Sequence, residues 1–149
     1  MNHNETSRRK FIRSSSALAG FFILPSGLRA NSPNGRLNSA HIGTGGKGSV
    51  DTAQIAAHPK TQVVALCDVD RHSLEGRGRR QQANGKERYS GAKKFRDYRE
   101  MFAAMGDQID IVSVSTPDHT HYPATMAAIE LGKHVYTQKP LTNNIAEAR

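Results

Sequence analysis

Cysteine and long apolar runs are scarce in this sequence. One cysteine among 149 residues excludes an intrachain disulfide, and its place in an apolar run favours a small buried side chain over a nucleophile for Cys67. The apolar run at residues 17–25 is too short to cross a bilayer, which requires about 20 residues. The length of the chain supports one domain with a substantial core.

The charge of the chain is strongly positive but unevenly distributed. Of 21 basic and 13 acidic residues, residues 1–30 hold five basic and one acidic, which leaves sixteen against twelve for the remainder. Most of that remaining excess lies between residues 71 and 99, without the interleaved aromatic side chains or the recognised module that nucleic-acid binding would require. The sequence therefore predicts a solvated basic face and no nucleic-acid partner.

The first 30 residues have the layout of a bacterial export signal. A basic segment at residues 7–13 precedes the apolar run, and small and polar residues follow it. The pair Arg8 and Arg9, followed by Lys-Phe-Ile-Arg, resembles the twin-arginine motif of proteins that are exported already folded. We expect residues 1–30 to engage the twin-arginine export machinery, residues 31–36 to be a linker, and the protein to be periplasmic or extracytoplasmic.

A glycine-rich segment carries the strongest functional signal. It has the spacing G-x-G-x-x-G, it follows a predicted strand at residues 37–42, and it precedes a predicted helix at 49–58. In such a turn the backbone can approach a pyrophosphate closely and direct free N–H groups at it. The pattern predicts a nucleotide-binding loop that consists of Gly43, Thr44, Gly45, Gly46, Lys47 and Gly48.

Asp68 supplies the acidic residue that this fingerprint requires. It ends an apolar, β-branched run at residues 62–67, which is typical of a strand buried on both faces. A carboxylate there can accept hydrogen bonds from ribose hydroxyls and repel a 2′-phosphate, so the sequence favours NAD. NADP stays open as the alternative, because Arg71 could clamp such a phosphate.

The rest of the chain predicts an α/β fold, a Rossmann-type doubly wound parallel sheet with helices on both faces. Residues 72–94 are polar and contain several glycines, which indicates an irregular helix and a long loop. Strands are predicted at 110–115 and 133–137, and the helix between them, at 122–131, is ended by Gly132.

A further helix is predicted to begin at Phe95. Its apolar residues recur at helical spacing, so we expect them to pack in the core. This predicted core face consists of Tyr98, Met101, Phe102 and Met105.

Two histidines and an acid follow the strand at 110–115. His119 and His121 near Asp118 invite comparison with a metal site, but no cysteine or further histidine pair completes the set. The sequence therefore predicts no metal, and it favours helix capping and ligand contact for these residues.

The order of these motifs resembles the glucose-fructose oxidoreductase/inositol dehydrogenase (Gfo/Idh/MocA) family. The resemblance covers residues 37–149, and it is specific because five motifs occur in the family's order. The matching segments are residues 43–48, the Ala-Leu-Cys-Asp that ends at Asp68, and residues 95–99, 115–121 and 135–140.

The resemblance implies an oxidoreductase in which hydride passes between nicotinamide and a sugar or polyol. It implies that Ser115, Thr116, Pro117 and His121 line the cofactor. It also implies that Lys139 of a Glu-Lys-Pro motif orients the nicotinamide and the substrate and assists transfer of the hydroxyl proton. It also implies a C-terminal α/β domain that holds most of the substrate site. Whether the protein forms a homo-oligomer stays open.

The chain departs from the family pattern in two ways. Gln138 replaces the glutamate of the Glu-Lys-Pro motif, which keeps a hydrogen-bonding group beside Lys139 but removes its charge. The chain also ends at Arg149, so we expect the sheet to be truncated, the substrate domain to be absent and this polypeptide alone to be inactive. Two alternatives remain: a glycosidase of the same fold that uses NAD for transient oxidation, and a noncatalytic nucleotide-binding protein.

Overall fold

A computed structural model describes residues 35–75 and 89–149 of this chain. The predicted export signal, most of the predicted linker and the middle of the glycine-containing region at 72–94 lie outside these residues. Within the described part of the chain, no helix combines the length and the apolar character needed to span a membrane.

In the part of the chain that the structure describes, five parallel strands form one sheet, as the α/β prediction requires. They are β1 (Leu37–Ile42), β2 (Thr61–Cys67), β3 (Lys93–Phe95), β4 (Ile111–Val114) and β5 (His134–Thr137). In order across the sheet they are β3-β2-β1-β4-β5, so the chain order reverses direction between β1 and β4. Open parallel sheets bind ligands beyond the carboxyl ends of the strands at such a switch point.

Helices cover both faces of this sheet. On one face, the helices at Tyr98–Met105 and His121–Glu130 pack against Ala40 and Ile42 of β1. The alternate residues of β1, Ser39 and His41, point to the opposite face, because successive strand residues alternate sides. The helices are α1 (Gly46–Ala56), α2 (Arg71–Leu74), α3 (Tyr98–Met105), α4 (His121–Glu130) and α5 (Ile145–Ala148).

The sequence prediction was wrong about Phe95, which ends an edge strand instead of beginning a helix. In β3, Phe95 pairs in parallel with Cys67 of β2. The helix begins only at Tyr98, because the carboxylate of Asp97 accepts a hydrogen bond of 2.8 Å from the backbone N–H of Arg99 and so caps it. The two lysines of β3 are exposed, so no apolar alternation indicated this short strand.

The predicted core face of α3 is confirmed. Tyr98, Met101, Phe102 and Met105 are all buried, and the rings of Tyr98 and Phe102 meet edge to face with centroids 6.1 Å apart. Cys67 is also buried, as predicted, and only 3% exposed. Burial, reinforced by nearby carboxylates, raises the pKa of Cys67 to about 12, which suits a packing residue rather than a nucleophile.

His41 is a polar residue buried in the central strand. Its Nε2 lies 3.1 Å from the hydroxyl of Ser39, whereas its Nδ1 has no hydrogen-bond partner among the described residues. Burial lowers the pKa of His41 to about 4, although the Asp51 carboxylate acts in the opposite direction. The folded domain therefore keeps His41 neutral near pH 7.

This pKa predicts a loss of stability in mild acid. As the pH falls below about 6.5 the unfolded chain binds a proton at His41, but the folded domain does so only near pH 4. The free energy of unfolding should fall through this window by roughly 3 kcal/mol on account of His41. Urea unfolding across the window should show a shallower pH slope for His41→Gln, and the exposed His58→Gln should keep the parental slope. Equal slopes in all three proteins would contradict the prediction.

Candidate functional site

The glycine loop joins β1 to α1 and packs closely against the carboxyl end of the sheet. Gly43 has φ of +82°, and a Cβ there would lie 2.6 Å from the carbonyl oxygen of Ser115. A Cβ at Gly48 would overlap the carbonyl oxygen of Gly43. Because neither glycine has a side chain, the backbone of α1 can contact the backbone of the loop, and the loop can contact the backbone at the end of β4.

The N-terminus of α1 is open. Gly45 is its N-cap, no side chain caps it, and its first turn contains no acidic residue. The N–H groups of Gly46 and Lys47 lie in the first turn, where a helix offers no internal acceptor. In an 11-residue helix the dipole adds positive potential at this point, so the loop suits an anion such as a pyrophosphate.

Asp68 supports the glycine loop from the end of β2. Its Oδ2 accepts hydrogen bonds from the backbone N–H groups of Thr44 (2.7 Å) and Gly45 (3.2 Å), and its Oδ1 accepts one from Asp70 (2.9 Å). The carboxylate thus orients the loop in addition to lining the space beside it. Acceptance of ribose hydroxyls by Asp68 stays a prediction.

A cleft of about 580 Å³ lies beside this loop. Its walls come from the glycine loop, the end of β2, the start of α3 and the segment after β4. The guanidinium of Arg99 lies 4.6 Å from the centroid of the Tyr98 ring at the α3 wall. The hydroxyl of Thr116 is buried beside the cleft and has no hydrogen-bond partner among residues 35–75 and 89–149. It can therefore donate a hydrogen bond to a ligand or accept one from it.

His121 connects two backbone segments. Its Nδ1 lies 2.6 Å from the carbonyl oxygen of Pro140, and its Nε2 lies 2.8 Å from that of Thr116. The side chain is only 1% exposed, so both ring nitrogens are committed to these contacts. His121 therefore holds the segment after β4 against the segment after β5, and its direct contact with a cofactor stays a prediction.

Gln138 and Lys139 follow β5 at the same edge of the sheet. The amide nitrogen of Gln138 donates to the Asp51 carboxylate (2.8 Å) and to the hydroxyl of Tyr136 (3.0 Å). Lys139 is exposed, and its peptide bond with Pro140 is cis. The structure thus brings Gln138 to the middle of α1 and leaves Lys139 open to solvent.

Asp51 is a site residue that the sequence analysis missed. It lies on α1 four residues after Lys47, with which it forms an ion pair, and it accepts a hydrogen bond of 2.9 Å from the hydroxyl of Ser115. Burial of this carboxyl acts to raise its pKa, but hydrogen bonds from Lys47, Ser115 and Gln138 outweigh burial, so the pKa of Asp51 lies below its usual value. The spacing of Lys47 and Asp51 was the sequence signal that could have identified the pair.

No metal cluster forms in the part of the chain that the structure describes. There, no group of three or more histidine, cysteine, aspartate or glutamate side chains could hold a metal ion. His121 is turned to backbone carbonyls, and His119 lies at the wall of the cleft.

A match to a known protein family shows which proteins this chain is related to. The model of the Gfo/Idh/MocA oxidoreductase family, an NAD-binding Rossmann fold, matches residues 37–149. The chain belongs to this family. Its open α1 terminus, its closely packed glycines and its unpartnered Thr116 hydroxyl fit the NAD that this family domain binds.

Individual relatives agree with this assignment. A family 109 glycosyl hydrolase from Solibacter usitatus is 33% identical over 121 residues, which are 77% of this chain and 26% of that protein. A myo-inositol dehydrogenase structure from Corynebacterium glutamicum has a TM-score of 0.61 at 30% identity, over 76% of this chain and 31% of that one. The structure of GenD2 from gentamicin A biosynthesis in complex with NAD has a TM-score of 0.61 at 28% identity, over 76% and 30%. The chain spans less than a third of each of these relatives.

The charges near Asp68 predict that this Gfo/Idh/MocA domain prefers NADH to NADPH. Asp68 and Asp70 lie together after β2, and Arg71 already pairs with Glu75 at 2.7 Å. A 2′-phosphate would meet two carboxylates, so NADPH should bind about tenfold more weakly than NADH.

Fluorescence titration of the chain with both coenzymes measures this ratio. Asp68→Asn removes one charge and should bring the two dissociation constants closer together. Glu130→Gln, an exposed change at the end of α4, should leave the ratio unaltered. Tighter binding of NADPH than of NADH by the parental chain would show that the prediction is wrong.

Proposed function

We propose that this chain is the cofactor domain of an oxidoreductase that transfers hydride between NAD and a sugar or polyol. The observation that carries the proposal is the open N-terminus of α1 behind a glycine loop that Asp68 orients, in a domain of the Gfo/Idh/MocA family. NAD, when bound, supplies hydride acceptance or donation at its nicotinamide ring. The myo-inositol dehydrogenase relative supports a polyhydroxylated substrate.

The residues of the chain divide this work between binding and positioning. Amides of the glycine loop stabilise the diphosphate, and Asp68 accepts hydrogen bonds from the adjacent ribose. His121 acts through the two carbonyls that it contacts, and it thereby keeps the cleft wall in register with the segment after β5. The residues that we assign to cofactor contact or its support are Gly43, Thr44, Gly45, Gly46, Lys47, Gly48, Asp68, Ser115, Thr116, Pro117, His121, Gln138 and Lys139.

Lys139 is the residue that we assign to the chemical step. Its exposed side chain follows β5 at the ligand-binding edge of the sheet, where a second domain could bring a substrate hydroxyl to it. The amine of Lys139 would take up the hydroxyl proton as the alcohol is oxidised, and the ammonium so formed would return that proton to the oxygen in the reverse reaction.

Substitution of Lys139 tests this function. In the complete enzyme, Lys139→Ala should lower the turnover of inositols or aldoses at least 100-fold, because general acid–base groups contribute that much. NADH affinity should change less than about threefold, since the diphosphate contacts remain. Lys60→Ala is the control: Lys60 is exposed and immediately precedes β2, at the amino end of the sheet, so this variant should keep parental turnover. Undiminished turnover in Lys139→Ala would remove this residue from the mechanism, and no turnover by the parent would favour a noncatalytic nucleotide-binding protein.

A glycosidase is the second candidate, and the 33% identical family 109 glycosyl hydrolase supports it. Transient oxidation by NAD would use the same loop and the same lysine, so the described residues suit both reactions. Release of free sugar without net formation of NADH would identify the glycosidase, whereas stoichiometric NADH would identify the dehydrogenase.

We also propose that residues 1–30 direct export through the twin-arginine pathway. The pair Arg8 and Arg9 supports this proposal. The twin-arginine pathway exports proteins that are already folded, so the protein could bind NAD in the cytoplasm and be exported with it. Cell fractionation should find the protein outside the cytoplasm, and Arg8→Lys with Arg9→Lys should retain it inside. Equal export of both forms would count against the proposal.

A further inference from the structure

A buried carboxylate joins α1 to the segments after β4 and β5, at the carboxyl end of the sheet. Asp51 of α1 is 2% exposed, and its two oxygens contact the ammonium of Lys47, the hydroxyl of Ser115 and the amide of Gln138. Ser115 follows β4, and Gln138 follows β5. One side chain thus ties the glycine-loop helix to the ends of two strands.

The groups that hydrogen-bond to this carboxylate favour its ionised form. Lys47 brings a positive charge, and Ser115 and Gln138 donate hydrogen bonds, while Tyr136 extends the network through its contact with Gln138. A buried carboxylate with charge-assisted partners of this kind keeps its negative charge at neutral pH.

That charge restricts which residue fits at position 138. The Gln138 amide uses one N–H for Asp51 at 2.8 Å and the other for Tyr136 at 3.0 Å, so its donors are satisfied. A glutamate in the same conformation would place a second carboxylate at hydrogen-bond distance from Asp51, where like charges repel strongly at low dielectric. The glutamine therefore matches Asp51, and it need not indicate a loss of function.

We propose that Asp51 is a positioning residue for the nicotinamide end of the site. It holds Gln138, and through the backbone it holds Lys139, the next residue along the chain, at the edge of the sheet. It also supplies, from α1, the negative charge that a glutamate at position 138 would carry. This inference rests on the proposed function, in which Lys139 takes part in proton transfer with the substrate.

A four-protein cycle tests the pairing: the parental chain, Asp51→Asn, Gln138→Glu and the double variant. NADH binding reports on the nicotinamide end, and ADP-ribose, which lacks nicotinamide, reports on the diphosphate end alone. Gln138→Glu should weaken NADH binding about tenfold and ADP-ribose binding less than about twofold, because repulsion from Asp51 displaces the backbone after β5 at the nicotinamide end, whereas Lys139→Ala leaves that backbone in place. The double variant should bind NADH within about threefold of the parent, since the asparagine introduced at position 51 can donate a hydrogen bond to the glutamate introduced at position 138. Gln62→Glu, which adds the same charge at an exposed position of β2, should change neither constant.

Each outcome of this cycle decides a separate question. Equal weakening of NADH and ADP-ribose, or no recovery in the double variant, would overturn the positioning role. If Gln138→Glu does not fold, a double variant that folds and binds NADH supports the pairing, and one that also fails to fold overturns it. A parental chain that binds neither NADH nor ADP-ribose would instead refute the proposed function, and urea unfolding of the same four proteins would still measure the coupling between the two residues.

Discussion

The hydrogen bonds from the loop amides to the Asp68 carboxylate are the interaction on which the site depends. They hold Thr44 and Gly45 against the end of β2, and this placement leaves the next amides, at the start of α1, free for an anion. The close approach at Gly43 and Gly48 leaves no room for a side chain, so the loop cannot take this path with another residue there. The loop in this position forms one wall of the cleft.

A second carboxylate, that of Asp51, holds the carboxyl ends of β4 and β5 in place. Asp51 joins α1 to the ends of β4 and β5, and His121 joins the segments that follow those strands. The two contacts act on the same pair of strand ends from different sides. The site is therefore built from side chains that hold the backbone in place, and Lys139 beside them is exposed.

Much of this arrangement could be predicted from the sequence, because its signals are local. Apolar β-branched runs indicated the buried strands, and the spacing from the glycine loop identified Asp68 as the acid at the end of β2. The edge strand at Phe95 was missed, since three residues with two exposed lysines have no apolar alternation. Asp51 was missed because its partners at 115 and 138 come from distant parts of the chain and meet only through the strand order. Long-range polar contacts of this kind leave no periodic trace in a sequence.

We expect the backbone amides at the start of α1 to bind the diphosphate of NAD. Titration of the isotopically labelled chain with NADH, followed by the amide signals in two-dimensional NMR spectra, measures this binding residue by residue. The largest shifts should belong to Gly46 and Lys47, and ADP-ribose should reproduce them. Saturable NADH binding that leaves both amide signals unmoved would contradict this assignment.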